Sequence, residues 1–307
     1  MSGTLLLTRR VLPRVSFSPL RALSSAGSST FHRFDAAAKA EVFKNVFDGG
    51  LPMWEKLGEA VDKELPAPTN VLSVGDGPGE PGCYLAAKYG CPTVTSDSVV
   101  PMVEAAKQRV QAKGLSNVVC QVLDMQDLSG IESSSVDLVS SAHAYPFSPD
   151  KPTALAEAFR VLKPGGVFGA VVWVSFELLP FAGAIMGAVT GTPPSPPPPG
   201  SPPPPPLALG DSSVSDPLLT AAGFTMCAGT EDTVTFKMTD LDVALKYCAL
   251  PIWDRLTEME ATGEIPGAWA KYADAWPDVA KAKGHLTNDG QFTMSGRYRV
   301  IVAKKAA

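Results

Sequence analysis

Val71-Leu72-Ser73-Val74-Gly75-Asp76-Gly77-Pro78-Gly79 is an apolar run that enters a G-x-G-x-G turn, with Tyr84-Leu85-Ala86 following on a helical stretch. Such a strand–turn–helix decides the fold class. Glycines at the turn let backbone amides come close to a ligand, and the helix N-terminus behind them favours its polar end. Gly77, Gly79 and Gly82 also satisfy G-x-G-x-x-G, so the turn by itself suits a dinucleotide as well.

Working outward, strand-like runs alternate with amphipathic ones. Strands are expected at 70–74, 93–95, 118–123, 136–140 and 167–174, and helices at 101–113 and 153–162. Apolar residues from Phe34 to Leu65 recur at helical spacing around Gly49-Gly50, placing two helices before the first strand. Leu162-Lys163-Pro164-Gly165-Gly166 reads as a helix stop and turn leading into strand five. The tail offers a short helix over 215–224, a strand at 233–237, helices over 240–260 and 268–282, and a last strand within 298–303. The alternation argues for a mostly parallel sheet covered on both faces, a doubly wound α/β domain.

Asp97 lies 22 residues beyond Gly75, just past the second strand, where a carboxylate accepts ribose hydroxyls in nucleotide-binding α/β folds. Capping the next helix is the structural alternative for Asp97, and Ser98 is an equal candidate for it. Strand three ends in Leu123-Asp124-Met125, a carboxylate and an apolar side chain suited to an adenine edge and face. Further on come Val136-Asp137-Leu138-Val139 and Ala156-Glu157-Ala158-Phe159-Arg160-Val161-Leu162-Lys163-Pro164-Gly165-Gly166.

Taken together, these segments resemble the class I S-adenosylmethionine-dependent methyltransferases of the small-molecule kind (methyltransferase type 11-like). The resemblance is firm over about 70–174 and a matter of layout over 215–303. It implies a Rossmann-like seven-stranded sheet in the order 3-2-1-4-5-7-6 with the last strand antiparallel, and S-adenosyl-L-methionine as cofactor. It also implies that Gly75, Asp76, Gly77 and Gly79 line the methionine part, Asp97 and Ser98 the ribose, and Asp124 and Met125 the adenine. Ala142 and His143 would then flank the sulfonium. The family pattern carries an acid where this chain has Ser73, so Asp76 is the residue expected to supply that carboxylate from the turn.

Methyl transfer asks for alignment and, for a hydroxyl or acidic carbon, removal of a proton. His143, in Ser141-Ala142-His143-Ala144-Tyr145, is the candidate base, against a reading as a pocket-wall residue; His32 and His285 are weaker candidates. Tyr145, Phe147, Trp173 and Phe176, with Met53, Trp54 and Trp253, are candidates to roof an apolar pocket or simply to fill the core.

Composition narrows the rest. The 307 residues contain no run of eighteen apolar residues, and the five cysteines include no CxxC pair, which fits reduced thiols better than disulfides or a metal site. The first thirty residues hold Arg9, Arg10, Arg14 and Arg21 and no acid, the composition of an organelle transit peptide, mitochondrial or alternatively plastid. Its removal shifts the formal charge from −5 to −9, a poor match to a phosphate backbone, so no nucleic-acid partner is expected. Residues 31–303 are then one domain: N-terminal helices 31–66, a cofactor core 70–174, a proline-rich insertion 193–206 in polyproline II or disordered form, and a C-terminal part 215–303 with lid helices.

The expected activity is methyl transfer to a small hydrophobic metabolite. A methyltransferase-like non-catalytic assembly or regulatory factor is the competitor that Ser73 and the proline tract keep open. An NAD-dependent oxidoreductase is disfavoured by Asp124-Met125 and the segment ending at Gly166.

Overall fold

The computed structural model describes residues 36–193, 195, 197–198 and 200–307. The basic N-terminal segment with its transit-peptide reading, and His32, lie outside the described residues.

The sheet has seven strands: β1 (Val71–Val74), β2 (Thr93–Asp97), β3 (Val118–Val122), β4 (Val136–Ala142), β5 (Leu162–Phe176), β6 (Thr225–Met238) and β7 (Phe292–Lys304). Their order is β3-β2-β1-β4-β5-β7-β6, as the resemblance implied. β1 to β5 pair in parallel, and β7 runs antiparallel to both β5 and β6. The first two helices are α1 (Ala36–Val46) and α2 (Leu51–Asp62), joined by a 3-10 turn at Phe47–Gly50. Between and after the strands lie α3 (Gly82–Tyr89), α4 (Val100–Ala112), α5 (Lys151–Val161), α6 (Leu178–Thr190), α7 (Ser212–Ala221), α8 (Leu241–Ala249), α9 (Trp253–Thr262) and α10 (Ala268–Ala282).

Alternation along the strands builds two cores, because successive side chains leave opposite faces. Val71, Leu138, Val167, Val171, Val300 and Val302 pack with Trp54, Leu57 and Val61 of α2 and Leu85 of α3. Leu72, Val74, Val139, Phe168, Ala170, Val172 and Ile301 pack with Leu155 and Ala158 of α5 on the other face. Central strands buried on both sides read as continuous apolar runs, which is why the sequence located them.

Several boundaries differ from the sequence reading. The segment Leu162–Gly166 is not a free turn: the helix ends at Val161, Leu162 already pairs with Val136, and a bulge follows. Gly165, at φ +78°, donates its amide to the Lys305 carbonyl at 3.0 Å. Arg160 in the same motif spans to the Ile131 and Leu128 carbonyls, and Lys163 pairs with Asp137 at 2.7 Å. This motif therefore fastens the amino-terminal end of the parallel strands, opposite the glycine turn. Pro251 splits the helix expected over 240–260 into α8 and α9. The apolar run 181–189 forms α6, and β6 and β7 are much longer than the apolar pattern suggested because they zip together along their length. Described residues of the proline tract carry no regular element before a 3-10 turn at Pro205–Leu207 and are exposed up to Pro205.

α1, the 3-10 turn and the start of α2 cover the carboxyl ends of the strands, the rest of α2 lying on the sheet face, and one buried side chain fixes this cover there. Arg109 of α4 donates to the Pro78 carbonyl (2.9 Å), the Lys44 carbonyl (3.1 Å), Asp48 (2.5 Å) and, at 3.4 Å, Glu80. Glu80 is itself buried, receives the Tyr84 amide, and pairs with Lys113 at 2.7 Å. A second tie, Lys39 to Asp254 at 2.6 Å, joins α1 to α9.

Arg109→Met should cost about 2 kcal/mol in urea unfolding, less than the ~3–5 typical of an orphaned buried charge because Lys113 still neutralises Glu80. Amide exchange across 36–62 should quicken well beyond the global change. Unchanged protection there would remove Arg109 as the fastening of this cover.

Candidate active site

The glycine turn leaves β1 at its carboxyl end, where ligand crevices of open α/β sheets lie. Gly75 sits at φ +68°, and a Cβ there would collide with that of Ala144, so the turn requires both the left-handed backbone and the missing side chain. Below it lies a row of hydroxyls. Thr95 of β2, Ser73 of β1 and Ser140 of β4 are in register across three adjacent strands. Ser140 Oγ donates to Ser73 Oγ at 2.7 Å, and Ser73 and Thr95 each donate to a different oxygen of the Asp76 carboxylate at 2.5 Å.

Asp76 is fully buried. Burial pushes its carboxyl up to about 7, against the pull of the two hydroxyl donors; the Glu80 and Asp97 charges add to the rise. Its carboxylate reaches back to accept the Ser73 hydroxyl on β1. Gly82 makes room for this: a Cβ there would strike the Asp76 carboxylate and stand 3.0 Å from Thr95.

Asp97 Oδ2 accepts the Gly77 amide and Oδ1 the Val99 amide, both at 2.9 Å. Asp97 is not the helix cap itself; its carboxylate orders the entry to α4 through the Val99 amide and holds the glycine turn through the Gly77 amide. Ser98 is exposed and caps nothing; the N-cap position of α4 is Val99. The Leu123 amide bonds the Asp97 carbonyl (3.1 Å), which brings the next loop alongside. There Asp124 Oδ1 accepts the Gln126 amide at 2.9 Å, and Met125 Cε reaches within 3.3 Å of where a Gly75 Cβ would stand. Gly77 faces Phe47 of the cover and Met102 of α4, while Gly79 packs against Cys83 and Ala106. Gly75, Asp76, Gly77, Asp97 and Met125 are therefore linked by direct contacts, with Asp124 next to them in the chain.

Ala142 ends β4 and is buried against the sheet. His143 follows at φ +58°, an unusual conformation for a residue with a Cβ, fixed by its amide bonding the Val171 carbonyl at 2.7 Å. Its ring stacks on Trp173 (centroids 4.2 Å apart, planes 7° apart), and Trp173 stacks in turn on Phe176 at 4.4 Å. Trp54 lies 6.2 Å from the imidazole on the cover side, with Phe47 beyond it. Burial holds the imidazole down to about 3, so it is neutral at physiological pH.

Of the other aromatics, Tyr145 packs against Phe168 on the opposite core, Phe147 is exposed, and Trp253 meets Trp269. His285 lies against Phe181, with Nδ1 3.0 Å from the Thr293 carbonyl, away from the site. Thr95, Ser140, Glu80 and Arg109 were missed by the sequence reading. Hydroxyls at alternate places in otherwise apolar strands were the available signal for the first two.

The family model for the methyltransferase domain matches residues 72–170, the span from β1 to β5 that carries these contacts. This match, with the methyltransferase relatives, supports a class I S-adenosylmethionine-dependent methyltransferase. Among its relatives, an S-adenosyl-L-methionine-dependent Diels-Alderase of Talaromyces variabilis is 39% identical over 113 residues, 35% of this chain and 37% of that protein. The demethylmenaquinone methyltransferase of Thermus thermophilus is 30% identical over 149 residues, 43% of this chain and 66% of that one. With several curated relatives the matched segment spans only 25% to 42% of the relative's length. In fold, the YcgJ protein of Bacillus subtilis matches with a TM-score of 0.50 at 16% identity, over 82% of this chain and 99% of its own.

Because the unfolded carboxyl titrates near 3.8 and the folded one near 7, the native state binds more protons between those values. The melting temperature should therefore fall as pH rises from about 4 to about 7 and level off above. Asp76→Asn should flatten that slope; an identical slope in the variant would show that Asp76 does not titrate in this window.

Proposed function

We propose that this chain binds S-adenosyl-L-methionine at the glycine turn and catalyses methyl transfer to a small hydrophobic metabolite. The observation that carries the reading is the convergence of the Gly75–Gly79 turn, Asp97 and Met125, held by the Gly77 amide on Asp97 and the Leu123 amide on the Asp97 carbonyl.

The family match over 72–170 supports the cofactor, and the residues present suit it. Gly75, Gly77 and Gly79 leave backbone without side chains for the methionine part, with Asp76 holding the turn from below. Asp97 stands at the carboxyl end of β2, where a carboxylate meets ribose hydroxyls in nucleotide-binding α/β folds, and Asp124 and Met125 offer an edge acceptor and a face contact for adenine. The cofactor supplies an already activated methyl group, which leaves the protein to orient the acceptor and exclude water. Ala142 and His143 border that space. Held neutral by burial, the imidazole is a weak base and serves as a hydrogen-bonding wall of the site, and the rings of Trp54, Trp173 and Phe47 suit an apolar acceptor.

A second reading is favoured by one observation: the Talaromyces relative bears the name of an S-adenosyl-L-methionine-dependent Diels-Alderase. On this reading the chain binds the cofactor and serves another reaction or an assembly role. An organelle destination, mitochondrial by preference, belongs to the proposal on the strength of the four arginines and absent acids in the first thirty residues.

Calorimetric titration with S-adenosylmethionine and S-adenosylhomocysteine should give micromolar binding that Asp97→Ala weakens at least tenfold, with NAD not binding. No binding of either adenosyl ligand would end both readings. Binding without label transfer from methyl-labelled cofactor to any of a broad panel of phenols, enols, amines and carbon acids would favour the second.

A further inference from the structure

Five buried side-chain nitrogens and oxygens have no hydrogen-bond partner among the described residues, and three of them lie together: Trp54 Nε1 and both ring nitrogens of His143. Tyr145 Oη and Trp276 Nε1 lie singly, in other parts of the core. Leaving such groups unpaired costs about 1–3 kcal/mol each, so a cluster of three needs a reason. Their placement supplies one. Trp54 belongs to α2 of the cover, and His143 to the end of β4 in the sheet, so the pair faces across the seam between the two.

The surroundings state what would satisfy it. Trp173 backs the imidazole, Phe47 backs the indole, and Phe176 and Phe236 stand behind. These walls offer no carboxylate for an ammonium and no cation for a phosphate or carboxylate. Only burial acts on the His143 titration, with no neighbouring charge contributing, so the neutral ring presents one N–H and one bare nitrogen. The indole adds a second N–H. A hydroxyl is the complementary group, because it donates to the bare nitrogen and accepts from either N–H. Parallel stacking along His143, Trp173 and Phe176 suits a planar partner.

We propose that Trp54 and His143 form a recognition pair for an uncharged, planar aromatic ring carrying a hydroxyl, seated between the cover and the sheet. This names the acceptor class for the site described above and rests on that reading. Bridging the two nitrogens ties α2 to β4, so the ligand itself helps to close the cover that Arg109 and Lys39 fasten. Trp54 and His143 act here as specificity residues, whatever further part the imidazole takes in proton transfer.

The test uses the full chain saturated with S-adenosylhomocysteine and titrates four probes: 2-naphthol, naphthalene, cis-2-decalol and 2-naphthoate. Naphthol should bind about tenfold more tightly than naphthalene, which shares its plane but lacks the hydroxyl. It should also exceed decalol, which lacks the plane, and naphthoate, which brings a charge. Trp54→Phe keeps a ring in place and should bring naphthol down to the affinity of naphthalene. Equal binding of naphthol and naphthalene by the wild-type chain, or preference for decalol or naphthoate, would overturn the proposal without any variant. If S-adenosylhomocysteine binds and none of the probes does, the acceptor class is wrong and the cofactor reading stands. If S-adenosylhomocysteine itself fails to bind, the underlying reading falls and takes this one with it.

Discussion

A carboxylate buried without a cation sits at the centre of the molecule, and the local architecture is arranged around keeping it there. Desolvating Asp76 costs several kcal/mol unless donors replace the lost water. The replacement comes from three strands at once: Thr95 and Ser73 donate directly, and Ser140 donates to Ser73. These hydroxyls are in register only because β2, β1 and β4 are adjacent and parallel, so the sheet order itself is a condition for solvating this group. In return the carboxylate fixes the first residue after Gly75, and with it the path of the turn. Gly82 completes the set, since any side chain at the start of α3 would occupy the carboxylate's place.

The same economy of contacts links the turn to its cover. Pro78 and Glu80 follow directly from the turn, and both bond the buried Arg109, which also holds Lys44 and Asp48 of the covering segment. A displacement of α1 and α2 therefore pulls on the glycine turn through one guanidinium. Asp48 is largely exposed, so its bond to Arg109 is the part of the network that opens at least cost, whereas the bonds to Pro78 and Glu80 are sheltered. Opening at the exposed side therefore leaves the turn intact.

How much of this was legible in the sequence depends on the range of the interaction. The alternation of apolar runs and helices gave the sheet, and the spacing from Gly75 to Asp97 and to Asp124 placed three segments that prove to be in contact. Local punctuation misled where tertiary pairing overrode it. Leu162-Lys163-Pro164-Gly165-Gly166 has every mark of a turn, yet Leu162 pairs with Val136 and Gly165 bonds the C-terminal segment, because a neighbouring strand was there to receive them. The lengths of β6 and β7 were hidden for a related reason: β6 lies at the sheet edge, so much of it is exposed and lacks the apolar pattern that marks a central strand. Arg109 was invisible because nothing in a helical run of mixed polarity distinguishes a solvated arginine from one that spans 31 and 61 residues to its partners.

His143 is held in place at an energetic cost. A residue with a Cβ at φ +58° carries a backbone cost of about 1–3 kcal/mol. Its two ring nitrogens add the cost of unpaired burial, and neither cost is offset by a charge or a hydrogen bond to the side chain. What holds it is the Val171 carbonyl behind its amide and the flat stack on Trp173. A purely structural residue at this corner would do better as an apolar side chain, since Leu or Phe would keep the stacking or packing and leave nothing unpaired, and glycine would remove the backbone cost. An imidazole has an advantage only if something with a hydrogen-bonding atom enters beside it. The energetic imbalance at this one residue, at the mouth of β4 and beneath the cover, is therefore the strongest physical reason to regard the seam as a place where a second molecule is received.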